Sequence, residues 1–262
     1  MTGERLEDGW TPATPESDSL LRGYVVGFGE MIAGIGRATG GRVLEDDDVV
    51  ALDVGSEFFL ANGAVLRHPV RDQDLPEVVD RLHRFYAAGP GVTWMLLSAW
   101  PMPAIERMNL VGHPPFMLRP PGGEVPPDPP GLVVREAHDQ AGMTDFARAL
   151  EGYPAAGTEV LADARILEVP GLRIFVGYVD GRPVACAGAH VTEACVDVEY
   201  VATHDEVRGR GFGAALTWHA TLADPTKPAV LIASDPGQPV YEKMGYLRVM
   251  RLTMWGSRPL DG

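Results

Sequence analysis

The sequence predicts an α/β protein of the α+β kind, in which helices cover a mixed sheet. Apolar runs of strand length alternate with two-residue turns, as they do in sheets built from hairpins. Later in the chain, a strand, a helix and a second strand follow one another, which is the order of a parallel crossover unit. The 262 residues, 45% of them hydrophobic, suffice for one large or two small domains with a buried core.

The first half begins with a predicted helix. Its sequence LLRGYVVGFGEMIAGIGRATGG ends in Gly40 and Gly41, which is typical of a glycine-terminated helix. Strands VVALDV and SEFFLANGAVLRHPV follow, with a hairpin turn predicted at Asn62-Gly63. A helix over QDLPEVVDRLHRFYAAG comes next, and then a strand VTWMLLSAW, a short helix PAIERMNLVG and a strand PFMLR.

A proline-rich linker divides the chain. Proline at the density of PPGGEVPPDPPG removes backbone donors and keeps a segment extended. We therefore predict a flexible tail (1–18), a first domain (19–119), the linker (120–131) and a second domain (132–262).

The second half repeats the alternation of strands and helices. We predict a strand LVVREA, helices over QAGMTDFARALEGY and GTEVLADARILEV, and a hairpin turn at Asp180-Gly181. A strand VDVEYVAT, a glycine-rich turn and a helix follow. The chain then continues with a strand AVLIAS, a helix GQPVYEKMG ended by Gly245, and a last strand LRVMRLTMW.

Two segments of the chain resemble each other. LLSAWPMPAIERM, which ends at Met108, and LIASDPGQPVYEKM, which ends at Met244, share a strand, a serine, a proline-rich turn and a short charged segment. The two halves are thus predicted to be copies of one fold. The first copy has Ile105 in place of Tyr241 and VRDQDL in place of RGRGFG. We expect it to be a degenerate, structural copy.

The amino-acid composition of the chain limits the kinds of molecule that it is expected to bind. Lys and Arg number 22 against 36 Asp and Glu, which gives a net charge of -14 and disfavours nucleic acid and anionic membranes. A cationic or neutral amine is a more suitable partner. No leader or membrane span is evident, so the prediction is a cytoplasmic protein. Cys186 and Cys195 are expected to be reduced, and the scattered histidines predict no metal site.

The glycine-rich turn RGRGFG lies between a strand and a helix. The first turn of a helix leaves backbone N–H groups unpaired and carries partial positive charge, so glycines there allow a phosphate to approach closely. An ordinary loop-to-helix junction is the alternative. A Walker loop would need Lys and Ser or Thr after its last glycine, where Ala214 and Ala215 stand. A dinucleotide fingerprint lacks its third glycine and its acidic residue.

The order Arg208, Gly211, Gly213 after a strand resembles the RxxGxG acyl-CoA signature of the GNAT superfamily of N-acetyltransferases. The ending YEKMGY and the order of elements from Leu132 to Trp255 resemble a complete GNAT domain. The chain is most similar to two-domain bacterial members with a degenerate first copy. Ser234 and Gly237 replace the Asn and Ala that the family shows before its final helix.

The resemblance implies transfer of an acetyl group from acetyl-CoA to a primary amine of a small molecule or amino terminus, in a ternary complex. It also implies that the fourth strand of the domain splays from the fifth to admit the thioester arm. Tyr241 matches the residue that protonates the departing thiolate. The implied cofactor-binding residues are Val201, Ala202, Thr203, Arg208, Gly209, Arg210, Gly211, Phe212, Gly213, Ala214 and Ser234.

An amine acceptor must lose a proton before it can attack. Asp197 and Glu199 are predicted to project from the same face of their strand as Val201, because alternate residues share a face. Either could be the general base, and a solvated strand face is the alternative for both. His190 and Glu159 are further candidates.

Two other functions stay open at this point. A non-catalytic acyl-CoA sensor or interaction protein would also keep the glycine-rich turn, and a transferase could use a longer acyl group. We expect a monomer or homodimer.

Overall fold

The computed structural model of the protein describes residues 19–90, 93–152 and 157–257. The predicted tail 1–18 lies outside the described residues. Five α-helices are present in the described parts of the chain: α1 (Leu20–Thr39), α2 (Leu75–Ala87), α3 (Gln140–Leu150), α4 (Phe212–Thr221) and α5 (Gln238–Lys243). The side chain of Ser19 accepts a hydrogen bond from the Arg22 amide at the start of α1, and Gly40, with φ of 74°, ends it as predicted.

The strands form two mixed sheets. Numbered along the chain, they are β1 (Arg42–Glu45), β2 (Val49–Asp53), β3 (Gly63–Leu66), β4 (Met95–Ser98), β5 (Asn109–Gly112), β6 (Pro115–Arg119), β7 (Val133–Glu136), β8 (Leu172–Val179), β9 (Arg182–Val191), β10 (Val196–Thr203), β11 (Ala229–Ile232), β12 (Leu247–Arg251) and β13 (Thr253–Gly256). The first sheet has the order β1-β2-β3-β4-β13-β5, and the second has the order β12-β6-β11-β10-β9-β8-β7. The predicted α/β class with mixed sheets is confirmed.

The two sheets have corresponding topologies. In the first, β3 and β4 are parallel and enclose α2 in the chain, and in the second, β10 and β11 are parallel and enclose α4. Each sheet also contains one strand from the other half at the corresponding place. β13 lies between β4 and β5, and β6 lies between β11 and β12.

This reciprocal exchange changes two predictions. The strand PFMLR, assigned to the 19–119 domain, pairs in the second sheet. LRVMRLTMW is not one strand, because the chain passes from the second sheet to the first at the fully buried Leu252. The division into 19–119 and 132–262 stays a prediction, with these two strands exchanged.

Local chemistry explains three further differences. Asn62 and Gly63 form no hairpin turn, because the side-chain amide of Asn62 is buried and donates to the backbone carbonyl of Ser56 at 2.6 Å. PAIERMNLVG is not helical and contains Arg107 at a φ of 63°. The predicted helix GTEVLADARILEV is two short 3₁₀ turns, which meet at Asp163. The turn at Asp180-Gly181 is confirmed, with φ values of 49° and 77°.

Helix α1 is packed between the two sheets. A Cβ atom on Gly27 or Gly34 would come within 3 Å of the side chain of Thr192 or Val169 in the second half. A Cβ atom on Gly36, on another face of the helix, would come within 2.6 Å of Leu52 in the first sheet. The glycines therefore let one helix approach both halves closely. Its largest buried side chains, such as Tyr24, belong to a core that includes residues of both halves.

Candidate functional site

The gap between β10 and β11 is the structural centre of the site. The two strands pair only from Val196 to Val198, although β10 continues to Thr203. Along the same length, β10 stays paired with β9 on its other side. Glu199 is therefore the first residue beyond the last β10–β11 pair, at the point where the two strands separate.

A bulge at Tyr200 changes the face that follows. Tyr200 has a φ of 56°, and two residues of β10, Tyr200 and Val201, stand opposite the single residue Ala187 of β9 between the Glu199 and Ala202 pairs. Val201 packs in the cluster that contains α4, whereas Ala202 joins the core that contains α1. The prediction that Asp197 and Glu199 share a face with Val201 is wrong, because the extra residue reverses the alternation.

The glycine-rich turn is exposed before α4. Gly209 and Gly211 have φ values of 75° and 84°, a conformation that favours glycine, and a Cβ at Gly209 would meet nothing within 4 Å. The hydrogen-bond ladder of α4 begins with the Ala215 amide donating to the Gly211 carbonyl at 3.0 Å. The amides of Phe212, Gly213 and Ala214 precede that bond and are free to bind an anion.

Arg208 joins this turn to the end of β10. Its guanidinium donates to the carbonyls of Thr203 at 3.2 Å and Gly152 at 3.1 Å, and it pairs with Asp205 at 2.7 Å. A Cβ at Gly213 would lie 2.9 Å from Thr203 Oγ1, so glycine is required for the close approach of α4 to the strand. Arg210, by contrast, is exposed, with its guanidinium 4.6 Å from the Phe212 ring centre.

Tyr241 lies on the short helix α5 and is partly buried. Its ring packs edge-on against Tyr246, with the ring centres 6.0 Å apart. The Tyr246 hydroxyl shares a hydrogen bond of 2.7 Å with Thr221. Ser234 is exposed, and its hydroxyl accepts a hydrogen bond from the Gly237 amide at 3.2 Å. Ser234 thus stabilises the turn that leads into α5, and its contact with a cofactor stays a prediction.

Asp197, which is buried, and Glu199, which is half-buried, form a carboxylate pair. Asp197 is 1% exposed, and both of its oxygens, like Glu199 Oε1, are inaccessible and lack a hydrogen-bond partner among the described residues. Burial raises the pKa of Asp197 well above its usual value, and the neighbouring Glu199 raises it further. Burial also raises the pKa of Glu199 to about 8. The solvated-face alternative is therefore wrong for Asp197.

The other two candidate bases differ in position. His190 is 4% exposed and stands opposite Asp197 in the β9–β10 pair. Burial lowers the pKa of His190, while its Nε2 lies 3.1 Å from the Pro170 carbonyl, so the imidazole is neutral near pH 7. Glu159 is exposed on the 3₁₀ turn Thr158–Ala162.

Sequence reasoning missed two tyrosines at this site. Tyr24 on α1 is 1% exposed, and its pKa is raised by burial and then by the charges of Asp197 and Glu199. The pKa of Tyr200 is raised by burial, and then by the same carboxylates. No local sequence signal marks Tyr24, because only the packing of α1 between the two sheets brings it there.

The first half offers a different surface at the corresponding place. Beside α2 lies a cavity of about 490 Å³, whose lining includes Asp72, Asp80, Glu106 and Arg107. Arg107 is paired with Asp80. The carboxylates would repel a phosphate, which supports the prediction that the first copy is degenerate.

Residues 170–248 match the family model described as Acetyltransferase (GNAT) domain. This segment is therefore similar to GNAT domains. The match contains the splayed β10, the glycine-rich turn and Tyr241, so the resemblance found in the sequence is confirmed.

Solved structures extend the fold to most of the chain. A GCN5-related N-acetyltransferase from Kribbella flavida is 19% identical, with a TM-score of 0.59, and the match covers 87% of this chain and 94% of that one. A GCN5-related N-acetyltransferase from Sphaerobacter thermophilus is 15% identical, with a TM-score of 0.53 and coverage of 89% and 92%. A functionally unknown conserved protein from Staphylococcus epidermidis is 11% identical, with a TM-score of 0.57 and coverage of 82% and 93%. No curated protein matches the chain.

The GNAT domain supports acyl transfer from an acyl-CoA in general. The open space at Gly209 and the free amides at the start of α4 leave room for an anion. Within the described residues, no cluster of His, Cys, Asp or Glu is arranged to hold a metal ion. None of the helices in the described parts of the chain is both long and apolar enough to cross a membrane.

Proposed function

We propose that the protein is an N-acetyltransferase that moves an acetyl group from acetyl-CoA to a primary amine of a small molecule or amino terminus. Transfer takes place directly, in a ternary complex. One observation supports this function above the others: the strands β10 and β11 separate next to the glycine-rich turn on one side and the Asp197–Glu199 pair on the other. The cytoplasmic location stays a prediction, as does the lack of a nucleic-acid or membrane partner.

The cofactor half consists of the turn and the end of β10. The amides of residues 209–214 bind the pyrophosphate, and Arg208 fixes the turn against Thr203. Beyond the bulge, the backbone of residues 201–203 lines the gap between the strands. Its N–H groups donate to the pantetheine arm and to the thioester carbonyl, which carries more negative charge in the transition state.

The acceptor half supplies the base. Glu199, at the point of strand separation, takes a proton from the amine as the new C–N bond forms. A pKa near 8 suits this task better than that of an ordinary glutamate, because the proton transfer is then more favourable. As the C–S bond breaks, Tyr241 donates its phenolic proton to the departing thiolate.

The cofactor half is tested by replacing Gly211 with alanine. We expect acetyl-CoA affinity to fall about tenfold, because a left-handed residue with a Cβ costs about 1–2 kcal/mol and moves the anion-binding amides. Calorimetric titration of the purified protein measures this affinity. Gly181→Ala is the matched control, since Gly181 has a similar φ of 77° in a turn, and a Cβ would meet nothing within 4 Å there and only Pro129, at 3.5 Å, at Gly211. Equal affinities in the two variants would contradict the assignment.

The acid is tested by Tyr241→Phe. We expect transfer to slow about a hundredfold with unchanged acetyl-CoA affinity, because the thiolate loses its proton donor while the ring packing is kept. Thiol release in steady state measures the rate. Tyr246→Phe, which removes a neighbouring hydroxyl bonded to Thr221, serves as control. The competing function, a non-catalytic acyl-CoA sensor, predicts no turnover in any of the three proteins.

A further inference from the structure

We propose that Tyr24, on the first helix of the chain, completes the acceptor site: its hydroxyl and the carboxylates of Asp197 and Glu199 together bind the ammonium group of a small primary amine. The inference rests on the proposed function and extends it. The N-terminal half then supplies a group that touches the acceptor.

The first support is a concentration of unsatisfied polar atoms. Eight buried side-chain polar atoms of the described residues have no hydrogen-bond partner, and five of them belong to Tyr24, His190, Asp197 and Glu199. Buried polar groups in folded proteins are almost always hydrogen-bonded, and an unpaired buried carboxyl is especially costly. Their clustering at the α1–β10 contact indicates a place for a polar ligand.

The second support is the fixed position of the Tyr24 ring. It lies 5.0 Å from the Phe116 ring and 5.9 Å from the Phe28 ring, measured between centres. One turn along the helix, Gly27 allows α1 to approach Thr192 and His190. The packing holds the phenol close to the carboxylates, whose charges raise the pKa of Tyr24.

The third support is charge. Among the described residues, no cationic side chain lowers the pKa of Asp197 or Glu199, and burial keeps His190 neutral. A primary ammonium carries one positive charge and three N–H donors. The three donors equal in number the three acceptor groups, which are the two carboxylates and the phenolic oxygen. Binding therefore restores both the charge balance and the missing hydrogen bonds.

The test is calorimetric titration of the full-length protein with n-butylamine hydrochloride at pH 8 and constant ionic strength, with and without bound CoA. We expect wild-type protein to bind at one site. Tyr24→Phe should weaken binding about tenfold, since it removes a hydrogen bond to a charged group, and Asp197→Asn should weaken it further. Tyr86→Phe is the matched control, because Tyr86 is a buried tyrosine of the same half whose hydroxyl donates to the Leu52 carbonyl at 3.0 Å.

A second readout is proton release. Repeating the titration in buffers with different heats of ionisation counts the protons lost on binding. The other titratable groups that interact with the pair are Tyr24, His190, Cys195, Tyr200 and Tyr246. Burial shifts the pKa of each of them so that the uncharged form is favoured. The carboxyl pair should therefore release about one proton, and Glu199→Gln should release less.

The outcomes separate this inference from the proposed function. If acetyl-CoA does not bind, the proposed function fails. If acetyl-CoA binds but n-butylamine does not, the unsatisfied atoms hold only water and the inference fails alone. Binding that is equally tight in wild type and Tyr24→Phe would also overturn the role of Tyr24. Because Tyr24→Phe removes an unpartnered hydroxyl and keeps the ring, we expect the variant to fold.

Discussion

Replacing Glu199 with glutamine should slow acetyl transfer to a primary amine by about 10²- to 10⁴-fold. The amide cannot accept the amine proton, whereas the shape of the side chain is kept. Acetyl-CoA affinity should not change, because the turn that we propose to bind the pyrophosphate lies further along the chain, at residues 208–213. Steady-state thiol release gives the rate, and calorimetry gives the affinity.

The pH profile identifies the group that loses the proton. With a pKa of about 8 for Glu199, kcat/KM of the wild-type protein should rise with pH and level off above that value. Asp197 and Glu199 titrate as a pair, so the apparent pKa read from the inflection of the pH profile is a property of the pair and not of either residue alone. Glu193→Gln, on the exposed turn before β10, is the control and should behave as wild type. If Asp197→Asn abolished activity while Glu199→Gln kept it, Asp197 would be the base.

The largest expected effect on stability is a pH dependence caused by the same pair. The pKa of Glu199 rises from its ordinary 4.5 to about 8 on folding. A raised pKa means that the folded state favours the protonated form. Stability is therefore fully present below pH 4.5 and is lost as the pH rises through 8.

Glu199→Gln removes the contribution of Glu199 to this dependence, because glutamine does not titrate, and leaves that of Asp197. We expect the variant to gain stability relative to wild type between pH 5 and pH 8.5, by an amount on the order of several kcal/mol. Urea unfolding of both proteins across this range measures the difference in unfolding free energy. A constant difference over the whole range would show that the carboxyl of Glu199 is not held in its protonated form.

Local signals in the sequence predicted the backbone shape of the glycine-rich turn well. Gly209 and Gly211 of RGRGFG occupy positions where φ is positive, so the residue type itself reports the backbone shape. The turn at Asp180-Gly181 was predictable for the same reason. Helix α2 follows from its apolar spacing, and its buried face includes Leu75, Val78 and Leu82.

The acceptor half depends on contacts that are distant in sequence. The face of β10 changes at Tyr200, and nothing in the alternation of VDVEYVAT marks a bulge. The strand exchange places β6 in the second sheet and β13 in the first, and these pairings join strands that are far apart in the sequence. Tyr24 reaches the carboxylates only because glycines on two faces of α1 let both sheets approach. Periodicity reports a buried face and does not say what covers it.

One assay decides whether the chain transfers acetyl groups to primary amines. Purified protein is incubated with acetyl-CoA and a panel of primary, secondary and tertiary amines, and released thiol is detected. We predict amine-dependent release with at least one primary amine, none with tertiary amines, and loss of release in Glu199→Gln. Thiol release that is the same with and without every amine, or that survives Glu199→Gln unchanged, would contradict the proposed function.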